Sequence, residues 1–64
     1  MRKQTMLVVI RTAKGITQKE LADVLQISRS GYSYKENGVQ DFKMSEMQTL
    51  ANYLGVKIGD IFLK

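Results

Sequence analysis

Apolar residues fall at helical spacing in four separate places along the chain. Leu21, Ala22 and Leu25 stand at i, i+1 and i+4, which makes one stripe on a helix of two to three turns. Met47, Leu50, Ala51 and Leu54 follow i, i+3, i+4 and i+7, with Gly55 just beyond. This is the clearest period in the sequence, and it predicts a helix over Lys43 to Leu54. Met6, Leu7 and Ile10 form one face of a first helix that ends at Gly15, and Ile58, Ile61 and Phe62 form one side of a short last helix. The run Leu7-Val8-Val9-Ile10 is β-branched enough for a strand. A lone strand without a hairpin partner has nowhere to place its backbone hydrogen bonds, so a helix is predicted there too.

The polar positions add the remaining helix and its neighbour's start. Thr17 precedes Glu20 by three residues, a capping box in which each side chain satisfies an orphan backbone N–H. Gln26 and Ile27 interrupt the apolar stripe, and Ser28 is a natural cap for a further helix running to about Asn37, where Gly38 stops it. Helices this short do not stand alone in water, so they must share a core. The predicted class is therefore all-α, a compact bundle of five short helices around Leu7, Ile10, Leu21, Ala22, Leu25, Ile27, Met47, Leu50, Ala51, Leu54, Ile61 and Phe62. Phe42 is expected as a plug under the loop before the fourth helix, Tyr32 is directed toward the preceding helix, and the four methionines read as packing filler. Residues 17–37 then form a helix-turn-helix with an exposed, polar second member, the geometry that lays a helix in the DNA major groove.

Composition narrows the chemistry. Sixty-four residues bound a single domain, 1–64. A chain of this size hides only about 60% of the surface its unfolded form exposes. It holds no cysteine and no histidine, which excludes zinc and disulfide stapling, so helix packing or a partner subunit must supply stability. No apolar run approaches the ~20 residues of a membrane span. The Met6–Ile10 run is shorter than the core of a signal peptide and lacks a small-residue cleavage site. A cytoplasmic protein without a membrane partner is expected. An enzyme is not: there are no paired carboxylates in an evident cleft, and the chain is too small to enclose a substrate pocket. No cofactor, metal or small-molecule substrate is expected with it. The net charge of +4 is concentrated at one end, where Arg2, Lys3, Arg11, Lys14 and Lys19 face only Glu20 within the first twenty residues. Such an excess favours polyanions through counterion release.

Several pieces stand in one register without a gap: Ile10-Arg11, Lys14-Gly15-Ile16-Thr17-Gln18, Leu21-Ala22, Ser28-Arg29-Ser30 and Glu36-Asn37-Gly38. Leu50-Ala51, Leu54-Gly55-Val56 and Asp60-Ile61-Phe62 continue the register. In these the chain, from about Leu7 onward, resembles the lambdoid phage repressor and Cro helix-turn-helix family (the XRE family). The resemblance implies a sequence-specific, DNA-binding transcriptional regulator, Cro-like or a repressor, from a phage or prophage. It also implies a homodimer on a pseudo-palindromic operator of double-stranded DNA. The alternative from another class is an antitoxin-like or anti-repressor protein–protein module on the same fold, against which the basic first third and the polar second helix argue. Three positions depart from the family pattern. Gly31 interrupts the reading helix, Lys35 stands where relatives place an apolar or aromatic residue, and Phe42 stands near a common proline.

Candidate contacts follow. Arg29, Ser30, Tyr34 and Ser28 are the candidate base readers. Arg29 either forks onto guanine O6/N7 or grips a phosphate. Tyr34 meets a thymine methyl or a phosphate, or packs on Arg and Lys stems. Gln18, Lys19, Ser33 and Asn37 are the candidate phosphate contacts, Gln18 because the first turn of its helix favours an anion. The resemblance implies the same anchor role for Gln18; Asn37 is otherwise a simple helix-end residue. Arg11 and Glu36 stand where the family places a partly buried ion pair, the alternative being Arg11 on a phosphate. Ile58 and Leu63 are the candidate dimer interface, unless they merely close the core.

Overall fold

Two of the helices begin at a hydroxyl that accepts one of their first N–H groups, and two at a carboxylate that reaches back to the cap N–H. The computed structural model describes residues 3–62. Its helices are α1 (Thr5–Ala13), α2 (Gln18–Leu25), α3 (Arg29–Glu36), α4 (Met44–Leu54) and α5 (Ile58–Ile61). Among the described residues there is no strand, and the run from Leu7 to Ile10 is helical. Thr17 Oγ1 accepts from the Glu20 N–H at 3.1 Å, and Ser28 Oγ accepts from the Gly31 N–H at 3.0 Å. At α4 the Glu46 carboxylate accepts from the Lys43 N–H at 2.9 Å, which makes Lys43 the cap rather than the first helical residue. Gly55 ends α4 at φ 74°, a left-handed conformation that costs glycine nothing for want of a Cβ.

The core sits between α1, α2, α4 and α5 with α3 laid against it. Leu7, Leu21, Ala22, Tyr32, Phe42, Leu50, Ala51, Leu54, Ile61 and Phe62 are buried. Ile10, Leu25, Ile27 and Met47, expected inside, are partly buried and packed against that cluster with Ile16, Val56 and Ile58. Helices of eight to eleven residues cannot enclose a second layer, so flanking apolar residues keep one side in water. The methionines require a correction. Only Met47 packs; Met6 is 49% and Met44 65% exposed, and Met1 lies outside the described residues. On α1 the inward stripe is Leu7 with Ile10, and a turn of about 100° per residue carries Met6 to its flank. Tyr32 is a full member of the core, and Phe42 is the expected plug. Their rings meet edge to face at 5.9 Å, and Phe42 meets Phe62 likewise at 5.2 Å.

Candidate nucleic-acid interface

The turn between α2 and α3 orients everything that follows. Gln26 caps α2 in the left-handed region (φ 61°, ψ 41°), and its N–H donates back toward Ala22 and Asp23. Ile27 then donates to the Ala22 carbonyl at 3.0 Å and turns its side chain into the core. The chain leaves this turn through Ser28, whose hydroxyl oxygen accepts from the Gly31 N–H, and α3 starts at Arg29.

One face of α3 is committed inward and the other is open. Tyr32 and Glu36, four residues apart, are buried. Arg29, Ser30, Tyr34 and the cap residue Asn37 are exposed, and Ser33 is half-buried among them. Positions 29, 30, 33, 34 and 37 share one helical face. Arg29 makes no ion pair among the described residues. Ser33 and Asn37 are bonded to each other, the Asn37 amide donating to Ser33 Oγ at 3.2 Å. Lys19 pairs with Asp23 at 3.2 Å across largely exposed side chains. A pair so exposed is worth little and gives way easily to a phosphate. A Cβ on Gly31 would stand 3.2 Å from Ser28 Oγ, so the glycine leaves room for the cap.

The inner face closes on a single carboxylate. Arg11 Nε donates to Glu36 Oε2 at 2.8 Å and Arg11 Nη2 to Oε1 at 3.1 Å, the two-pronged geometry a guanidinium offers a carboxylate. The Tyr32 hydroxyl donates to Oε2 at 2.8 Å and Gln18 Nε2 to Oε1 at 2.8 Å. The third prong, Arg11 Nη1, donates to the Ile16 carbonyl at 2.9 Å, and the Gln4 N–H donates to the Glu36 carbonyl at 2.8 Å. Burial alone would raise the Glu36 pKa, but the hydrogen bonds from Arg11, Gln18 and Tyr32 together outweigh it and hold it below the ordinary carboxylate value. The bond to Glu36 raises Arg11 in turn, and burial, with the phenol's own bond to Glu36, raises Tyr32.

Three links escaped the sequence reading. Gln18 is bonded to Glu36, although glutamine alone gives no sign of its partner. Lys35 folds back from α3 to Glu46 at 2.9 Å, both side chains largely buried, and reaches the Asp41 carbonyl at 3.4 Å. Its departure from an apolar residue was the available signal. Tyr53 donates to the Glu20 carboxylate and ties α4 to α2. Of the candidate dimer residues, Ile58 is half-buried against the core, and Leu63 lies outside the described residues. Among the described residues no helix is long and apolar enough to cross a membrane.

The chain is similar to known proteins in sequence and in fold. The helix-turn-helix family profile HTH_3 matches residues 9–61. The SPbeta prophage-derived uncharacterized HTH-type transcriptional regulator YonR of Bacillus subtilis (strain 168) is 41% identical over 54 residues, which is 84% of this chain. The chain spans 49% of that relative, about half its length. The crystal structure of the clp gene regulator ClgR from C. glutamicum matches with a TM-score of 0.78 at 26% identity, over 89% of this chain and 74% of that one.

Proposed function

The chain belongs to the helix-turn-helix family HTH_3, and from that premise we propose that it is a DNA-binding transcriptional regulator that lays α3 in the major groove. The observation that carries this reading is the division of α3. Its inner face is bolted down by Tyr32 and Glu36, while Arg29, Ser30, Tyr34 and Asn37 stand exposed on the other. The similarity to a prophage-derived regulator supports a phage-type regulatory role. On this reading the chain catalyses nothing and needs no cofactor.

Within the groove, Arg29 reads guanine, with Ser28, Ser30 and Tyr34 at neighbouring base edges. Gln18, Lys19, Ser33 and Asn37 hold the phosphate backbone and set the register without reading sequence. The molecule's longest extent is 24 Å, shorter than the ~34 Å between half-sites one turn apart, so reading a pseudo-palindrome takes two copies. The dimer forms at least on DNA, through the C-terminal segment that holds Ile58 and Leu63. Selection of bound sites from a random duplex pool tests the whole reading. A two-fold symmetric consensus is expected, with affinity falling steeply between ~50 and 200 mM salt. An unselective pool with salt-independent retention overturns it.

A further inference from the structure

Glu36 is buried, yet it is bonded to Gln18, a residue of the candidate interface. Its Oε1 oxygen is shared between Arg11 of α1 and Gln18, the first residue of α2, while Oε2 is shared between Arg11 and Tyr32 of α3. Three helices therefore meet on one carboxylate. Gln18, by contrast, sits at the start of α2, half-buried. A glutamine side chain is rotamer-rich, and ordering it on a ligand opposes binding. Here it is ordered beforehand. A carboxylate only accepts hydrogen bonds, so Glu36 admits the Nε2 edge of the Gln18 amide and rejects the Oε1 edge. One N–H is used in that bond. No described residue accepts the second, which is carried on the same nitrogen beside the first turn of α2. Glu36 in turn cannot follow the amide, because it is 2% exposed and held by Tyr32 on its own helix, a bond that does not depend on Arg11.

We infer that Glu36 is a positioning residue for DNA binding. It acts through Gln18, fixing the amide so that an N–H donor already faces the phosphate position before DNA arrives. The inference rests on the reading of Gln18 as a phosphate anchor. It is distinct from the bracing of α1 against α3 by the Arg11 pair, because Arg11 and Gln18 are separate donors on the same carboxylate.

Binding to a mixed-sequence duplex by wild type, Gln18→Ala, Glu36→Gln, the double variant and Arg11→Met tests this, at a temperature where circular dichroism shows each one folded. Gln18→Ala is expected to weaken binding about tenfold, and Glu36→Gln nearly as much, since Arg11 and Tyr32 compete with Gln18 for the one acceptor oxygen left. Adding Glu36→Gln to Gln18→Ala should cost less than about twofold more. Arg11→Met leaves the Gln18 bond in place, so its folded molecules should bind within about twofold of wild type even as it unfolds at a lower temperature. The Gln18 side-chain amide protons of the DNA-free wild type supply a second reading that needs no variant to fold. By NMR they should exchange slowly and sit apart from those of exposed glutamines. Fully additive losses, an Arg11→Met loss as large as that of Glu36→Gln, or a Gln18 amide averaged like an exposed one overturns the positioning role. Unchanged affinity for Gln18→Ala, with wild type still binding, overturns it and leaves the DNA reading standing. Wild type that ignores duplex DNA altogether overturns both.

Discussion

Arg29 opens α3 as an exposed side chain with no ion-pair partner among the described residues, which leaves its guanidinium available to a ligand. If it forks onto guanine, Arg29→Ala costs ~1–3 kcal/mol of specific binding and relaxes preference at one base pair per half-site. Site selection with the variant checks this. An unchanged consensus with uniformly lower affinity makes Arg29 a phosphate contact instead. Gln26 carries a different lesson. A side chain at φ 61° pays a steric penalty that glycine avoids, and the turn to α3 depends on that conformation. Gln26→Gly should stabilise the domain by up to about 1 kcal/mol, the relief being partly offset by the freer unfolded chain. A urea midpoint that fails to rise shows that the turn stores no strain.

Between elements, Glu36 is the joint of α1, α2 and α3, and Lys35 with Glu46 is the joint of α3 and α4. The net worth of a buried ion pair is small, because desolvation offsets much of the attraction, yet removing one partner strands the other at ~3–5 kcal/mol. Arg11→Met and Glu36→Gln should therefore each lower the unfolding temperature sharply, while the double variant recovers part of the loss. Thermal unfolding of all four proteins measures the coupling, and strictly additive losses mean that the pair contributes none. The Lys35 link has the same form. It fastens the segment from Gly38 to Lys43 beneath α3 through the Asp41 carbonyl, and so fixes where that loop lies beside the reading helix.

For the molecule as a whole, acid is the condition that undoes these joints. The Glu36 and Glu46 carboxylates are both opposed by burial, and both are held below their ordinary values by hydrogen bonds, from Arg11, Gln18 and Tyr32 in one case and from the Lys43 N–H and Lys35 in the other. A carboxyl group lowered by folding contributes its full stability above the unfolded value and loses it as pH falls through the folded one. With no histidine in the chain, stability should stay level from pH 6 to 8 and fall below about pH 4. Calorimetric melting across that range checks it, and Glu36→Gln should flatten the acid limb. A limb that Glu36→Gln leaves unchanged places the acid sensitivity on other carboxylates.

Local signals determined much of this protein. The periods of Leu21-Ala22-Leu25 and Met47-Leu50-Ala51-Leu54, the caps at Thr17 and Ser28 and the stop at Gly55 set the helices, because each depends only on residues within a turn or two. The exposed face of α3 followed from the same spacing. Other features depended on chain segments brought together from afar. Tyr32 became core because Phe42, itself packed on Phe62, arrives beside it, and Met6 and Met44 stayed in water because small helices leave flanks open. Arg11 and Glu36 stood in register as a family pair, but Gln18 joining them, and Lys35 finding Glu46, depended on distances between helices. Periodicity tells which side of a helix is apolar; only packing decides which polar group on one helix meets which on another.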